Sequence, residues 1–277
     1  MATLLGVFDW DGTVYRNSAN IDVIERLRAV DFLAHADFRE VDAAKKRWKD
    51  REGDDAFETY TKTLVTLIEA GIFQVPADAV NAVCEELVAE QGRQLYEFTR
   101  ELIATLRELD YMLIAISGSP KPIVEAFVKP LGFQHVRATE YEIADGRYTG
   151  RITALPVNDK AATLRELLLE YDARAENVIA VGDTLSDYGM LRASRYGIAF
   201  NPSRALKARI RKDGVGNYRS PLGIVTQRKD DIAISTFQND WAGRPRLAET
   251  GLSNVLPPKV ASRLAERLGK LYQYDNV

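Results

Sequence analysis

The chain has 277 residues, 46% of them apolar and 28% charged, with a net charge of −3 and a pI near 5.6. That length suffices for one large domain or for a core with a smaller companion, and the composition excludes a disordered or membrane-embedded chain. The slight acidity argues against bulk attraction to nucleic acid or anionic lipid, and the single cysteine, Cys84, excludes an internal disulfide and a multi-cysteine metal site.

The first apolar run, residues 4–8, has the length of a buried strand. It is too short for a signal segment or a bilayer span and no basic stretch precedes it, so the expected location is the cytoplasm. From about residue 17 to 94 the pattern is helical, with stretches at 56–70 and 78–90 and no convincing strand; this reads as a helical insertion after the first strand. Cys84 falls within it as a small hydrophobe on a helix. The basic run Lys45, Lys46, Arg47, Lys49 and Arg51, around Trp48, reads as a solvated helix face.

Further buried strands are expected at 112–116, 178–181 and 198–200, with Ile224 and Val225 at the centre of a fifth. Ser119 reads as the cap of a helix opening at Pro120. Tyr141, Ile143, Tyr148 and Ile152 flank Asp145-Gly146, a dipeptide suited to a two-residue hairpin turn. Residues 159–171 carry Leu164, Leu167, Leu168 and Tyr171 on one helical face. The sheet pattern ends near Ile234, and 258–272 forms an amphipathic helix with Val260, Leu264, Leu268 and Leu271 on one side, suited to the core or to a second subunit. His35 and His135 match no catalytic spacing and read as structural.

Strands alternating with helices predict an α/β fold, a Rossmann-like parallel sheet covered by helices. The expected organisation is a core of 1–16 and 95–235, a helical cap of 17–94, and a C-terminal extension of 236–277. In such a sheet the ligand sits at the carboxyl ends of the strands. The residues just past the runs are Asp9-Trp10-Asp11-Gly12-Thr13, then Ser117-Gly118-Ser119, then Gly182-Asp183 with Asp187, and Lys160 opens a helix toward the same edge. Asp183 or Asp187 alone would read as a helix cap; together with Asp9 and Asp11 they make an oxygen-rich site for Mg²⁺, which takes a few carboxylates plus water and phosphate oxygens. A phosphate ester is the natural substrate, because Mg²⁺ and Lys160 would offset its repulsion by the carboxylates, and aspartate can attack phosphorus.

These segments resemble the four motifs of the haloacid dehalogenase-like superfamily of phosphohydrolases, over about residues 4 to 230, and the helical insertion resembles the cap of the phosphoserine phosphatase-like branch. The resemblance implies Asp9 as nucleophile and Asp11 as the acid that protonates the leaving oxygen and then activates water. Ser117 and Lys160 would hold phosphoryl oxygens, with Gly118 and Arg16 as further substrate contacts. Mg²⁺ would be held by the Asp9 carboxylate, the Asp11 backbone carbonyl and Asp183, with Asp187 orienting a metal-bound water or Lys160. The expected partner is a small phosphorylated metabolite, with no nucleic acid or membrane, and the cap and C-terminal helix leave room for a homodimer. A phosphotransferase, or a non-catalytic phosphate-binding protein on the same scaffold, are the alternatives; crowded carboxylates favour the enzyme.

Phosphoserine phosphatases place a glutamate soon after the first motif and an arginine in the cap to hold the amino acid. Here residues 15–20 contain no acid, and residues 57–62 offer only Lys62 in place of the arginine. Lysine lacks the fork that pairs with a carboxylate. L-phosphoserine is therefore expected to be a poor substrate, with preference for another small phosphomonoester meeting Arg16 or the basic run 45–51.

Overall fold

The computed structural model describes residues 2–34, 36–50, 52–53, 56–71, 75–213, 222–229, 231–239 and 244–274. In chain order the elements are β1 (Thr3–Phe8), α1 (Ala19–Ala29), α2 (Arg39–Lys49), α3 (Ala56–Gly71), α4 (Ala77–Gln91), α5 (Glu97–Glu108), β2 (Met112–Pro120), α6 (Lys121–Val128), β3 (His135–Ala144), β4 (Arg147–Ala154), α7 (Lys160–Glu170), β5 (Ala173–Gly182), α8 (Tyr188–Ala193), β6 (Tyr196–Phe200), α9 (Arg204–Asp213), β7 (Gly223–Arg228), β8 (Asp231–Asn239), β9 (Pro245–Glu249) and α10 (Pro258–Tyr274).

Among the described residues, one nine-stranded sheet has the order β4-β3-β2-β1-β5-β6-β7-β8-β9. The strands from β3 to β7 pair in parallel, as expected of strands joined through helices. Alternate residues face opposite sides: Leu5, Val7, Ile114 and Val178 pack with Leu164 and Leu167 of α7, Met190 and Leu191 of α8 and Leu206 of α9. Phe8, Leu113, Ala115 and Ile179 pack on the other side with Phe98 and Leu102 of α5, Phe127 of α6 and Leu264 of α10. Burial on both faces explains the unbroken apolar runs that announce these strands.

The sheet pattern expected to stop near Ile234 continues. β8 runs on to Asn239 and pairs antiparallel with β7 and with β9. Its buried positions include Ser235 and Thr236 beside Phe237, so polar residues interrupt the apolar signal. The strand runs straight through the expected boundary between 235 and 236. α10 follows, with Val260, Leu264 and Leu268 buried; the side chain of Leu271 lies outside the described set. Arg263 and Arg267 of α10 pair with Glu108 and Glu101 of α5, so the helix packs on the sheet's own covering layer.

At the other edge, Asp145 (φ 50°) and Gly146 (φ 74°) turn β3 into β4 in the left-handed region, as the two-residue hairpin requires. The hairpin braces the insertion: Ala77 N–H donates to Gly146 O at 2.9 Å and Tyr148 N–H to Val75 O at 3.0 Å. The insertion itself consists of α1 to α4, and its two ends leave and re-enter the core side by side. Tyr15 bridges Leu95, while Arg16 N–H donates to Gln94 O at 3.0 Å and Tyr96 N–H to Val14 O at 2.9 Å. The Tyr15 hydroxyl lies 2.6 Å from Asp22 Oδ2 and 2.5 Å from Gln91 Oε1, tying α1 and the end of α4 to this hinge.

Within the insertion the basic run lies on the exposed side of α2, with Lys46, Arg47 and Lys49 in solvent, Lys45 paired with Glu25 and Trp48 stacked on Tyr60. Arg51 and His35 lie outside the described residues. His135 stacks on Tyr171. Cys84 is buried, and burial pushes its thiol up to about 12. Among the described residues no helix is long and apolar enough to cross a membrane.

Candidate active site

β1 is the strand at which the sheet order reverses: its neighbours are β2 on one side and β5 on the other. Helices on the two faces diverge there and leave a crevice at the carboxyl ends of the strands. Phe8 is level with Ala115 of β2 and with Val181 of β5, so Asp9 leaves the sheet one residue below Ser117 and Asp183. The Asp9 N–H still reaches Val181 O at 2.8 Å. Three segments distant in sequence thus meet at one point.

Lys160 is the first residue of α7, whose N-cap Asp159 accepts from Ala162 N–H. Its ammonium donates to Asp9 Oδ1 at 2.5 Å and to Asp187 Oδ1 at 2.6 Å, and it is 2% exposed. Burial alone would lower its pKa, but Asp187 and Asp9 outweigh that and hold it raised, so it is charged. The second oxygen of Asp187 accepts from the Asp183 and Thr184 N–H groups and from the Thr184 hydroxyl. Asp187 is therefore fully engaged and fixes both Lys160 and the loop carrying Asp183.

Asp9 differs. Its Oδ2 is buried and has no hydrogen-bond partner among the described residues. Burial, with Asp187 and Asp11 adding to it against the pull of Lys160, pushes the Asp9 carboxyl up to about 7. Burial, then Asp9 and Asp187, raise Asp183 well above the carboxylate range. Asp9, Asp183 and Asp187 each offer an oxygen within 4.8 Å of the others. An unpaired buried carboxylate oxygen beside a second raised carboxyl is the donor set that a hard divalent cation satisfies, so these residues fit Mg²⁺. The Thr13 hydroxyl donates to Asp183 Oδ1 at 3.2 Å. Gly12, at φ 78°, permits the close approach, since a Cβ there would lie 2.5 Å from Asp183 Oδ2.

The Asp11 carboxylate lies outside that triad; only its main-chain carbonyl was expected to meet the metal. Oδ1 accepts from Ala19 N–H at 2.6 Å, at the start of α1. Oδ2 accepts from the Ser119 hydroxyl at 2.7 Å and the Ser117 hydroxyl at 3.0 Å. Burial raises the Asp11 pKa, against the opposing effects of Ser119, Ala19 N–H and Ser117. Ser119 is not the helix cap expected of it: the N-cap of α6 is Pro120, without a side-chain cap bond. The Ser119 hydroxyl instead accepts from Asn20 N–H at 3.1 Å. Gly118 sits between the two serines, its carbonyl held by the Thr139 hydroxyl at 2.6 Å. Arg16 is exposed and serves the hinge: its Nε donates to Leu95 O at 2.9 Å and its guanidinium lies over the Tyr96 ring. Lys62 is an exposed residue of α3, and the side chains of Phe57 and Glu58 lie outside the described set.

Fold and site define the class, a doubly wound α/β protein with a carboxylate cluster at the switch point of its sheet. Residues 7–192 match the haloacid dehalogenase-like hydrolase family, and the chain belongs to it. Within that family it is similar to phosphoserine phosphatases. Phosphoserine phosphatase SerB2 of Mycobacterium tuberculosis is 34% identical over 204 residues, which are 73% of this chain and 45% of that protein. The phosphoserine phosphatase of Streptomyces coelicolor is 33% identical over 206 residues, 72% of this chain and 44% of that one. The chain thus spans less than half the length of these curated relatives. Among solved structures, a phospho-aspartyl intermediate analogue of phosphoserine phosphatase superposes with a TM-score of 0.52 at 22% identity, covering 76% of this chain and 91% of that one. A protein of unknown function from Bordetella pertussis gives a TM-score of 0.59 at 21% identity, covering 77% and 96%. Both share the fold.

Proposed function

We propose that the chain is a Mg²⁺-dependent phosphomonoester hydrolase working through an aspartyl-phosphate on Asp9, with a small phosphorylated metabolite as substrate. The observation that carries this reading is the state of Asp9: one oxygen is fixed by Lys160 and the other is buried without a partner. A carboxylate so held is aimed rather than neutralised.

In this reading Asp9, Asp183 and the Asp11 carbonyl hold Mg²⁺, which when bound supplies charge to offset that of the ester. Asp9 attacks phosphorus, the P–O bond to the alcohol breaks, and Asp11 gives its proton to the departing oxygen. Asp11 then takes a proton from water as the water attacks phosphorus and the bond to Asp9 breaks. Lys160, charged and held by Asp187, and the Ser117 hydroxyl hold phosphoryl oxygens, beside the Gly118 main chain. Arg16 would have to leave Leu95 O to meet substrate. We assign α1 to α4 as the cap that chooses the alcohol. Asp22, the acid of α1 nearest the first motif, is engaged with the Tyr15 hydroxyl, which supports a substrate other than L-phosphoserine.

The test is phosphate release from a panel of phosphorylated amino acids, sugars, nucleotides and lipid headgroups with Mg²⁺, compared by kcat/KM. Release from at least one small monoester well above that from phosphoserine is expected. No release from any would overturn the hydrolase reading, and a clear preference for phosphoserine would overturn the substrate reading.

A further inference from the structure

Resting on the hydrolase reading, we propose that Ser119 is a positioning residue for Asp11, holding the acid in place for proton transfer and linking it to the first turn of α1. Ser119 is 2% exposed, so solvent does not replace its contacts. Its hydroxyl donates to Asp11 Oδ2 at 2.7 Å, shorter than the 3.0 Å from Ser117. The Ser119 hydroxyl oxygen accepts from Asn20 N–H at 3.1 Å, while Asn20's neighbour Ala19 donates from its N–H to Asp11 Oδ1 at 2.6 Å. Asp11 is thus gripped at both oxygens, and the grip on Oδ2 is fastened to the insertion through Ser119.

The two serines are not equivalent. Ser117 is the residue that would turn to the phosphoryl group, and a hydroxyl has one proton to donate. When Ser117 donates to a phosphoryl oxygen it can no longer donate to Asp11. Ser119 remains, and its bond to Asn20 N–H fixes the orientation of its lone pair, leaving its proton for Asp11. The acid therefore stays aimed during transfer only if position 119 carries a hydroxyl.

Ser119→Ala and Ser119→Gly remove the hydroxyl, and Ser119→Thr keeps it. Each would be compared with wild type by kcat/KM on an alkyl phosphate, whose leaving oxygen needs a proton, and on p-nitrophenyl phosphate, whose leaving group does not. With kcat/KM reporting steps up to the phospho-enzyme, the hydroxyl-free variants should lose roughly ten- to a hundred-fold more on the alkyl ester than on the aryl ester, the equivalent of one hydrogen bond to a charged group. Threonine should recover most of that difference. Equal losses on both esters, or none, would overturn the proposal while leaving the hydrolase reading intact. If the wild type hydrolysed neither ester, the crystal structure of Ser119→Ala would decide the positioning role: an Asp11 carboxylate that stays put refutes it, and one that swings away supports it, while the hydrolase reading rests on the wider panel.

Discussion

Replacing Lys160 by methionine removes the positive charge from a buried group of carboxylates. The ammonium makes two charge-assisted bonds, to Asp9 at 2.5 Å and Asp187 at 2.6 Å, and Asp187 has no exposed surface. Removing one partner of a buried ion pair costs about 3–5 kcal/mol, because the remaining charge is stranded. At about 2–4 °C per kcal/mol for a chain of this size class, the metal-free protein should melt roughly 6–20 °C lower. The pH dependence has a definite sign. A carboxyl whose folded pKa is raised destabilises the fold as pH climbs from its unfolded value to its folded one, and in the wild type the Asp9 window closes at about 7. Without Lys160 that window extends upward, so the deficit relative to wild type should widen as pH rises above 7. The lost contribution of Lys160 itself is constant there, since its unfolded pKa is about 10.4. Thermal melts of both proteins in chelator at pH 6 and pH 8.5 read both quantities. Adding Asp187→Asn to the variant should restore part of the loss. A drop under about 2 °C, the equivalent of less than 1 kcal/mol, would refute the account of Lys160 as the cation that makes this cluster tolerable, as would a deficit that does not change with pH.

Three further outcomes follow from the same geometry. Asp9→Asn should fold, with a melting point within a few degrees of wild type or higher because a raised carboxyl is removed, yet release no phosphate; near wild-type turnover would contradict the covalent mechanism. Excess chelator should abolish phosphate release, and Mg²⁺ should restore it and raise the melting temperature of the wild type, whereas full activity in chelator would sink the metal assignment. Gly12→Ala should cost about 1–2 kcal/mol from its left-handed backbone alone, and should also weaken the Mg²⁺ dependence of activity by displacing Asp183; an unchanged half-saturating Mg²⁺ concentration would show that Asp183 does not hold the ion.

Much of the fold was legible because the stretches 4–8, 112–116, 178–181 and 198–200 of β1, β2, β5 and β6 are largely buried on both faces, so their residues are apolar without alternation and the polar residue that follows each run is conspicuous. Asp9, Ser117 and Asp183 were found that way, and the register brings them together. β8 was not legible, because Ser235 and Thr236 occupy buried positions that a sequence pattern assigns to solvent. Ser119 was misread for a different reason: a serine just before Pro120 is locally indistinguishable from a helix cap, and its partner Asp11 lies 108 residues away in sequence. Local chemistry carried no sign of that contact. The hinge role of Arg16 was hidden likewise, since Leu95 is 79 residues distant.

Because Arg16 and Gln94 are hydrogen-bonded neighbours, the sheet meets the whole insertion between them as though it were one tight turn. Loop-closure entropy grows only as the logarithm of length, about 0.6 kcal/mol for each doubling, so the insertion can be lengthened at little cost in chain entropy between its fixed points, the Ala19 and Asn20 contacts to Asp11 and Ser119 and the Val75 and Ala77 contacts to the β3–β4 hairpin. A chain laid out in this way tolerates changes of length in the insertion while the strand ends that carry Asp9, Ser117 and Asp183 keep their register.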